Sequence, residues 1–252
     1  MLNPLDLAGR TILVTGASSG IGQETSILLS RLGARVVLVA RNPERLAETH
    51  ARLEGSGHGV EVFDLCAYEA IPNWMRGIAD RYGPLDGLVQ SAGLLITAPL
   101  KTMEAGQVEV LWRVNVMASL WLAKGYRQNK VNNPGGSIVL LASAAGLVGQ
   151  AALSAYTASK GAIISVTRAL ATELARERIR VNCVAPGIVV TKMVQKDSER
   201  LTTEHLAATE TKHLLGFGAP IDVAYSVAFL LAPTARWITG STMVVDGGFS
   251  AH

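Results

Sequence analysis

The stretch "LVTGASSGIG", Leu13 to Gly22, places three glycines directly after a short apolar run. The next segment, "QETSILLSRLGA", repeats its apolar residues at helical spacing. Glycines between a strand and a helix let the backbone approach another group closely, although an ordinary tight turn uses them too. The stretch therefore favours a ligand site at the start of a helix, with a plain turn as the alternative.

The alternation of strand and helix continues along the chain. Apolar β-branched runs predict strands at 11–15, 35–40, 59–65, 86–93, 136–143, 179–187 and 241–248, and helical patterns lie at 21–32, 43–53, 68–82, 104–130 and 154–177. Strands that are apolar on both faces are typical of a parallel sheet covered by helices on both sides. The pattern predicts one α/β domain with a doubly wound, mainly parallel sheet of about seven strands.

Composition excludes several classes of protein. The chain has 252 residues, of which 49% are hydrophobic and 17% charged, so it is not a disordered chain. The net charge of +3 is spread along the chain without a run of five Lys or Arg, which argues against nucleic acid as a partner. Cys66 and Cys183 form no metal-type or redox-type pair, so we expect two free thiols and no metal.

The N-terminus "MLNPLDLAGR" lacks a basic region followed by an apolar stretch. No apolar run approaches the ~20 residues that span a membrane. We therefore expect a cytoplasmic protein. One segment, residues 191–218, interrupts the strand–helix alternation, and insertions of this length are often lids over a site. We predict a substrate lid there, with a surface excursion as the alternative.

The glycine-rich turn is predicted to hold a dinucleotide. In an open parallel sheet, ligands bind beyond the carboxyl ends of the strands, and a helix N-terminus offers free N–H groups to a pyrophosphate. The second strand ends at Ala40 with Arg41 next, where NAD-preferring sites place a carboxylate. Because Arg41 can grip a phosphate, we predict NADP(H) over NAD(H). The alternative is that Arg41 is a solvated loop charge.

"SAYTASKGA" places Tyr156 and Lys160 four residues apart, on one face of a helix. An ammonium beside a phenol favours the phenolate, so we expect the pKa of Tyr156 to fall and the side chain to act as a general acid or base. Ser143 ends the preceding strand run, where its hydroxyl could hold a substrate carbonyl oxygen. Joined to the glycine turn, this pattern predicts a catalytic site.

In these residues the chain resembles the short-chain dehydrogenase/reductase family over nearly its whole length. The matching landmarks are "TGASSGIG" (15–22), "DL" (64–65), "SAG" (91–93), "VNV" (114–116), Ser143, "YTASK" (156–160), "PG" (186–187), Thr191 and "ITGSTMVVDGG" (238–248). The resemblance implies a Rossmann-type fold and a nicotinamide dinucleotide as cofactor. It implies that Tyr156 donates or accepts the proton, that Lys160 lowers its pKa, that Ser143 orients the substrate oxygen, and that Asn115 holds a relay water.

The resemblance also implies where the ligands bind. The expected cofactor-binding residues are Gly16, Ser18, Ser19, Gly20, Ile21, Gly22, Arg41, Asn42, Asp64, Leu65, Ser91, Ala92, Gly93, Tyr156, Lys160, Pro186, Gly187, Ile188, Val189, Thr191 and Met193. The expected pocket wall consists of Leu94, Leu95, Ile96, Ala145, Leu147 and Leu153, with Met193. This wall is apolar, which favours an alkyl or ring ketone over a sugar. The family usually shows "NNAG" where this chain has Gln90-Ser91-Ala92-Gly93, a departure that could loosen the sheet edge.

Within the family, "VNCVAPGIVVTKM" and "VAFLLAPTARWITGSTMVVDGG" most resemble the 3-oxoacyl-acyl carrier protein reductases. The basic residues with which those reductases dock the acidic carrier protein are largely missing, since "NNPGG" (132–136) and Glu177 stand in their places, the latter between Arg176 and Arg178. The substrate is therefore expected to be either a 3-oxoacyl thioester or a small cyclic, steroid or sugar ketone. A dinucleotide-binding sensor without activity is the alternative from another class.

The helices near 104–130 and 154–177 carry more apolar surface than one sheet face can cover, with Trp121 and Ile163 among their apolar residues. The resemblance implies that these helices pair across a two-fold axis, and that the last strand and tail, around Met243 to Phe249, form a second such contact. Two perpendicular two-fold axes generate a homotetramer. The alternative is a monomer that buries these helices within one domain.

Overall fold

Seven parallel strands form a single sheet in the computed structural model, which describes residues 3–191 and 209–251. The strands are β1 Thr11–Thr15, β2 Arg35–Ala40, β3 Gly59–Val62, β4 Leu85–Gln90, β5 Asn132–Leu141, β6 Arg180–Pro186 and β7 Thr242–Val245. Their order in the sheet is β3-β2-β1-β4-β5-β6-β7. The order reverses beside β1, which pairs with β2 on one side and with β4 on the other, and this opens a crevice at the carboxyl ends.

Helices cover both faces of the sheet. They are α1 Gly20–Arg31, α2 Pro43–His50, α3 Ile71–Tyr82, α4 Ala105–Trp112, α5 Ala118–Tyr126, α6 Ser154–Leu174 and α7 Pro220–Leu231. Successive residues of β1 point to opposite faces of the sheet. Leu13 packs with α3, α5 and α6 on one face, and Ile12 packs with α1, α2 and α7 on the other. The predicted doubly wound single domain is confirmed.

The predicted helix 104–130 differs from the observed structure. A one-turn π-helix, Arg113–Met117, which we call the π-turn, separates α4 from α5, and α5 ends at Tyr126. The π-turn contains Asn115, and such turns recur at functional sites because they redirect one side chain out of the helical register. Apolar spacing does not reveal it, because the residues on both sides keep a helical pattern.

Several strands end earlier than predicted because polar turns begin at their carboxyl ends. β3 stops at Val62, and Asp64 then accepts a hydrogen bond from the Cys66 amide at 2.9 Å. β4 stops at Gln90, after which the amides of Ser91 and Ala92 bond to the Thr15 hydroxyl. The turns that shorten the strands therefore line the crevice.

No helix in the described ranges is long and apolar enough to cross a membrane. Residues 192–208 lie outside the described residues, and they include Met193 and most of the predicted lid.

Candidate active site

A cleft of about 790 Å³ lies at the carboxyl ends of the strands. It brings together most of the residues predicted from the sequence. Those lining it are Gly16, Ser18, Ser19, Gly20, Ile21, Gly22, Arg41, Asn42, Asp64, Leu65, Ser91, Ala92, Gly93, Leu94, Leu95, Ser143, Tyr156, Lys160, Pro186, Gly187, Val189 and Thr191. Residues as far apart in the chain as Gly16 and Thr191 thus meet in one site that is large enough for an extended ligand.

The glycine-rich turn forms one wall of the cleft, where its backbone packs too closely against neighbouring segments to carry side chains at Gly16 and Gly22. Gly16 has a φ of +67°, and a Cβ there would lie 2.8 Å from the Ala92 nitrogen. A Cβ on Gly22 would meet the Gly16 carbonyl oxygen. Within the described residues, the Ser19 side chain caps none of the first-turn amides of α1. These amides face the cleft beside the helix dipole, an arrangement that fits a pyrophosphate.

The unusual Gln90 is built into the end of the sheet. Its side-chain oxygen accepts a short hydrogen bond from the Thr15 hydroxyl, and its Nε2 lies 3.5 Å from the Val114 carbonyl oxygen. Thr15 also accepts hydrogen bonds from the Ser91 and Ala92 amides, both at 3.2 Å. The glutamine therefore links this edge to the π-turn, and the loosening considered from the sequence is not seen.

Tyr156 stands in the cleft with Ser143. Burial raises the pKa of Tyr156, and its hydrogen bond with the Ser143 hydroxyl lowers the pKa by less. The expected fall of this pKa is not seen, because burial of the phenol sets the direction of the shift. The Lys160 Nζ lies 5.8 Å from the centre of the tyrosine ring. The phenol is therefore a protonated donor at neutral pH.

Lys160 is held in a buried position, with 6% of its surface exposed. Its Nζ donates to the Leu141 carbonyl oxygen at the end of β5, at 2.8 Å. Desolvation lowers the pKa of Lys160 to about 8. The side chain can thus carry a positive charge beside Tyr156 near neutral pH while giving up a proton easily.

Asn115 lies behind the cleft, and it does not line it. Its Oδ1 accepts from the Leu94 amide at 2.9 Å, and its Nδ2 donates to the Leu94 carbonyl oxygen and to the Ser159 hydroxyl, both at 3.0 Å. Ser159 in turn donates to the Tyr156 carbonyl oxygen at 2.7 Å. The amide therefore ties the π-turn to α6 and to the loop after β4. Sequence reasoning missed Ser159, although it stands beside Lys160 on the catalytic helix.

Two further residues at the β2–β3 end of the cleft were not predicted. The Phe63 ring lines the cleft and stacks on Trp74 with 4.1 Å between ring centres. Arg45 also lines it, and its backbone amide donates to the Asn42 Oδ1 at 2.7 Å, which caps α2. The sequence "NPER" is a typical helix N-cap pattern. It predicts that Arg45 lies in the first turn of α2, close to Arg41 at this end of the cleft.

The predicted apolar wall is only partly gathered at the cleft. Leu94 and Leu95 line it, whereas Ile96, Ala145, Leu147 and Leu153 do not. The Ala98 amide donates to the Ala152 carbonyl oxygen at 2.8 Å, so the loops that carry these residues adjoin each other. Ile188 is also absent from the cleft lining, and its amide donates to a ring nitrogen of His213 at 3.2 Å.

Comparison with known proteins agrees with this geometry. Residues 10–202 match the family model for short chain dehydrogenase. The chain is 33% identical to a 3-oxoacyl-[acyl-carrier-protein] reductase of Rickettsia prowazekii, over 97% of this chain and 98% of that protein.

Two solved structures share the fold over essentially the whole chain. A putative short-chain alcohol dehydrogenase from Sinorhizobium meliloti has a TM-score of 0.92 and 35% identity, with 99% of each chain covered. A putative 2-deoxy-d-gluconate 3-dehydrogenase from Agrobacterium tumefaciens, with bound NADP, has a TM-score of 0.87 and 27% identity, with 100% of each chain covered. The chain therefore belongs to the short-chain dehydrogenase/reductase family and is an NAD(P)-dependent oxidoreductase.

Proposed function

We propose that the protein is an NADPH-dependent oxidoreductase that transfers a hydride between the nicotinamide and a ketone or secondary alcohol. One observation carries the proposal: Ser143, Tyr156 and Lys160 line the same cleft as the glycine-rich turn. When bound, the nicotinamide supplies the hydride for reduction or accepts it in oxidation. The chain's own residues handle the oxygen and its proton.

In the direction of reduction, the Ser143 hydroxyl holds the carbonyl oxygen of the substrate, and Tyr156 donates its phenolic proton to that oxygen as the alcohol forms. Burial keeps the phenol protonated and ready for this step. The positive charge of Lys160 then stabilises the phenolate that remains. In oxidation the same phenolate takes the proton from the alcohol.

The preference for NADPH is proposed from Arg41 and Arg45. Both line the cleft at the β2–β3 end, and neither guanidinium forms an ion pair within residues 3–191 and 209–251. Two guanidinium groups on this wall fit a 2′-phosphate, and Ala40 presents no carboxylate against it.

We expect NADPH to bind at least tenfold more tightly than NADH, a difference of about 1.4 kcal/mol or more. The Arg41→Asp variant should reverse the order, because a carboxylate repels the phosphate and can bind a ribose hydroxyl. Titration of cofactor fluorescence measures both affinities. Arg31→Asp is the matched control, since Arg31 pairs with Glu54 on the surface and does not line the cleft. Equal affinities in the wild-type protein would contradict this preference.

For the substrate we propose a 3-oxoacyl thioester, or alternatively a small cyclic, steroid or sugar ketone. The thioester rests on the name of the Rickettsia relative and on the apolar Leu94 and Leu95. Docking of an acyl carrier protein has weaker support, because Glu177 forms an ion pair with Arg127 where a free basic residue would be needed. A screen of NADPH oxidation across these four substrate classes tests the proposal. The thioester should be offered on carrier protein and on a short thiol, because equal rates would exclude a docking role.

We also propose a homotetramer. Ile163 is 1% exposed within the single chain, so the expectation that it serves an interface is wrong, and a charge there would disrupt the core. Better candidates are apolar residues that stay on the surface of the two elements expected to form contacts: Trp112 on α4 at 38% exposed, and Trp237 and Val244, before and within β7, at 95% and 43% exposed.

We expect sedimentation at micromolar concentration to show a tetramer. Trp237→Glu should produce smaller species, because it places a charge on the apolar surface beside the last strand. Trp237→Phe is the control that keeps the surface apolar. A fully active monomer of the wild-type protein, 26.6 kDa in mass, would contradict the proposal.

A further inference from the structure

His213 is a buried histidine outside the catalytic constellation, with 3% of its surface exposed. Its Nε2 accepts a hydrogen bond from the Ile188 amide at 3.2 Å, so Nδ1 carries the proton and donates to the Thr209 carbonyl oxygen at 3.0 Å. The ring stacks on Phe249 with 4.6 Å between centres and an angle of 16°. One side chain thus holds three separate segments of the chain.

These segments form a junction, residues 186–190, 213–218 and 246–250. The Gly218 amide donates to the Ile188 carbonyl oxygen at 3.0 Å, and the Leu215 amide donates to the Gly247 carbonyl oxygen at 3.0 Å. A Cβ on Gly187 would lie 2.8 Å from the Asp246 Cα, so the first and third segments are in close contact. The His213 ring fills the space among the three segments.

The junction stands at the reacting end of the cleft. Pro186, Gly187 and Val189 line the same cleft as Tyr156, and Pro186 ends β6 beside the end of β5 that leads to Ser143, whereas Arg41 follows β2, four strands away in the sheet. Hydride and proton go to adjacent atoms of one carbonyl group, so the nicotinamide must lie beside Tyr156. The backbone of Pro186 and Gly187, which line the cleft, is therefore placed to form its wall.

We infer that His213 is a positioning residue for the nicotinamide ring, acting through the backbone of Pro186 to Val189. Its acceptor nitrogen holds the Ile188 amide, and its stacking on Phe249 anchors that bond to the C-terminal tail. The inference rests on the proposed function only in requiring that a nicotinamide binds. It adds a residue that touches neither cofactor nor substrate.

His213→Phe tests this role, because it keeps an aromatic ring against Phe249 and removes both hydrogen bonds. The affinity for NADPH is compared with that for 2′-phospho-ADP-ribose, which is the same molecule without nicotinamide. An unpaired buried amide is costly, so NADPH binding should weaken about fivefold or more. Binding of the fragment should stay within about twofold, because its 2′-phosphate and adenine are proposed to bind beside the ends of β2 and β3, away from the junction.

His58→Phe is the matched control. His58 also joins two backbone segments, since its Nδ1 accepts from the Val36 amide at 3.1 Å and its Nε2 bonds to the Glu54 carbonyl oxygen at 2.9 Å. It does not line the cleft. Its loss should lower the melting temperature without separating the two affinities, and His213→Gln should restore NADPH binding because its amide oxygen can reach the Ile188 amide.

If His213→Phe does not fold, His213→Asn replaces it, because that shorter side chain keeps a polar group near Thr209 and cannot reach Ile188. Equal weakening of NADPH and of the fragment would show a merely structural residue and overturn the inference, as would no weakening of either. A wild-type protein that binds neither NADPH nor NADH would overturn the proposed function and this inference together. A selective loss of NADPH affinity with rescue by glutamine supports it.

Discussion

Replacement of Tyr156 by Phe should reduce the rate of ketone reduction by about 10²–10⁴-fold, the usual contribution of a positioned general acid. The variant keeps the ring in its buried place and removes only the hydroxyl that bonds to Ser143 and supplies the proton. Single-turnover reduction with saturating NADPH measures the loss, because it isolates chemistry from product release.

A control variant and a measurement of cofactor affinity complete the test of Tyr156. Tyr225→Phe is the matched control, because its ring is 53% exposed and does not line the cleft. Cofactor affinity should be nearly unchanged in Tyr156→Phe, which separates an enzyme from a dinucleotide-binding sensor. If the variant retained half of its activity, Tyr156 would not be the acid.

Lys160→Met should abolish activity and also change how stability depends on pH. The pKa of Lys160 falls from 10.5 to about 8 on folding, so between these values the unfolded chain binds more protons than the folded chain. The stability contributed by this group is therefore greatest above pH 10.5 and is lost as pH falls to 8. From pH 7.5 to 9.5 the wild-type protein should gain about 2 kcal/mol from this residue alone.

The variant lacks that gain. Its free energy of unfolding relative to the wild-type protein should fall by about 2 kcal/mol over the same range, measured by urea unfolding at each pH. Groups distant from Lys160 titrate alike in the two proteins, so the difference reports on Lys160 and the groups that contact it. Lys124→Met is the control, because it removes an exposed lysine of α5. A flat difference for Lys160→Met would mean that its ammonium is well solvated.

The fold was predictable because its determinants are local and repeated. Each strand is a short β-branched run and each helix an apolar repeat, so order and type follow from periodicity. The π-turn at Arg113–Met117 was not predictable, since it inserts one residue without disturbing the apolar pattern. The early end of β3 was missed because the Asp64 turn outweighs the apolar residues that continue the run.

Site residues carried by short motifs were predictable, and those that depend on distant packing were not. Tyr156 and Lys160 are legible as a pair four residues apart, yet the raised pKa of Tyr156 comes from burial that only the folded chain shows. His213 bonds to Ile188 across 25 residues of chain, and no spacing rule connects them. Arg45 was missed for a different reason, because its capping motif was present and not used.

The sheet order β3-β2-β1-β4-β5-β6-β7 places the residues proposed for cofactor choice and those proposed for catalysis on separate halves of the sheet. Everything proposed to choose between dinucleotides lies on β1 to β3 and their loops, before residue 66, and everything proposed to act on the carbonyl lies after β4 begins. The turn at Gly83–Pro84 divides them in the chain, and the β1–β4 pairing joins them in space. A recombination between related genes at that turn would exchange the preference for NADPH or NADH without altering the residues proposed for the reaction. Related proteins can therefore draw electrons from a different nicotinamide pool while keeping the same substrate.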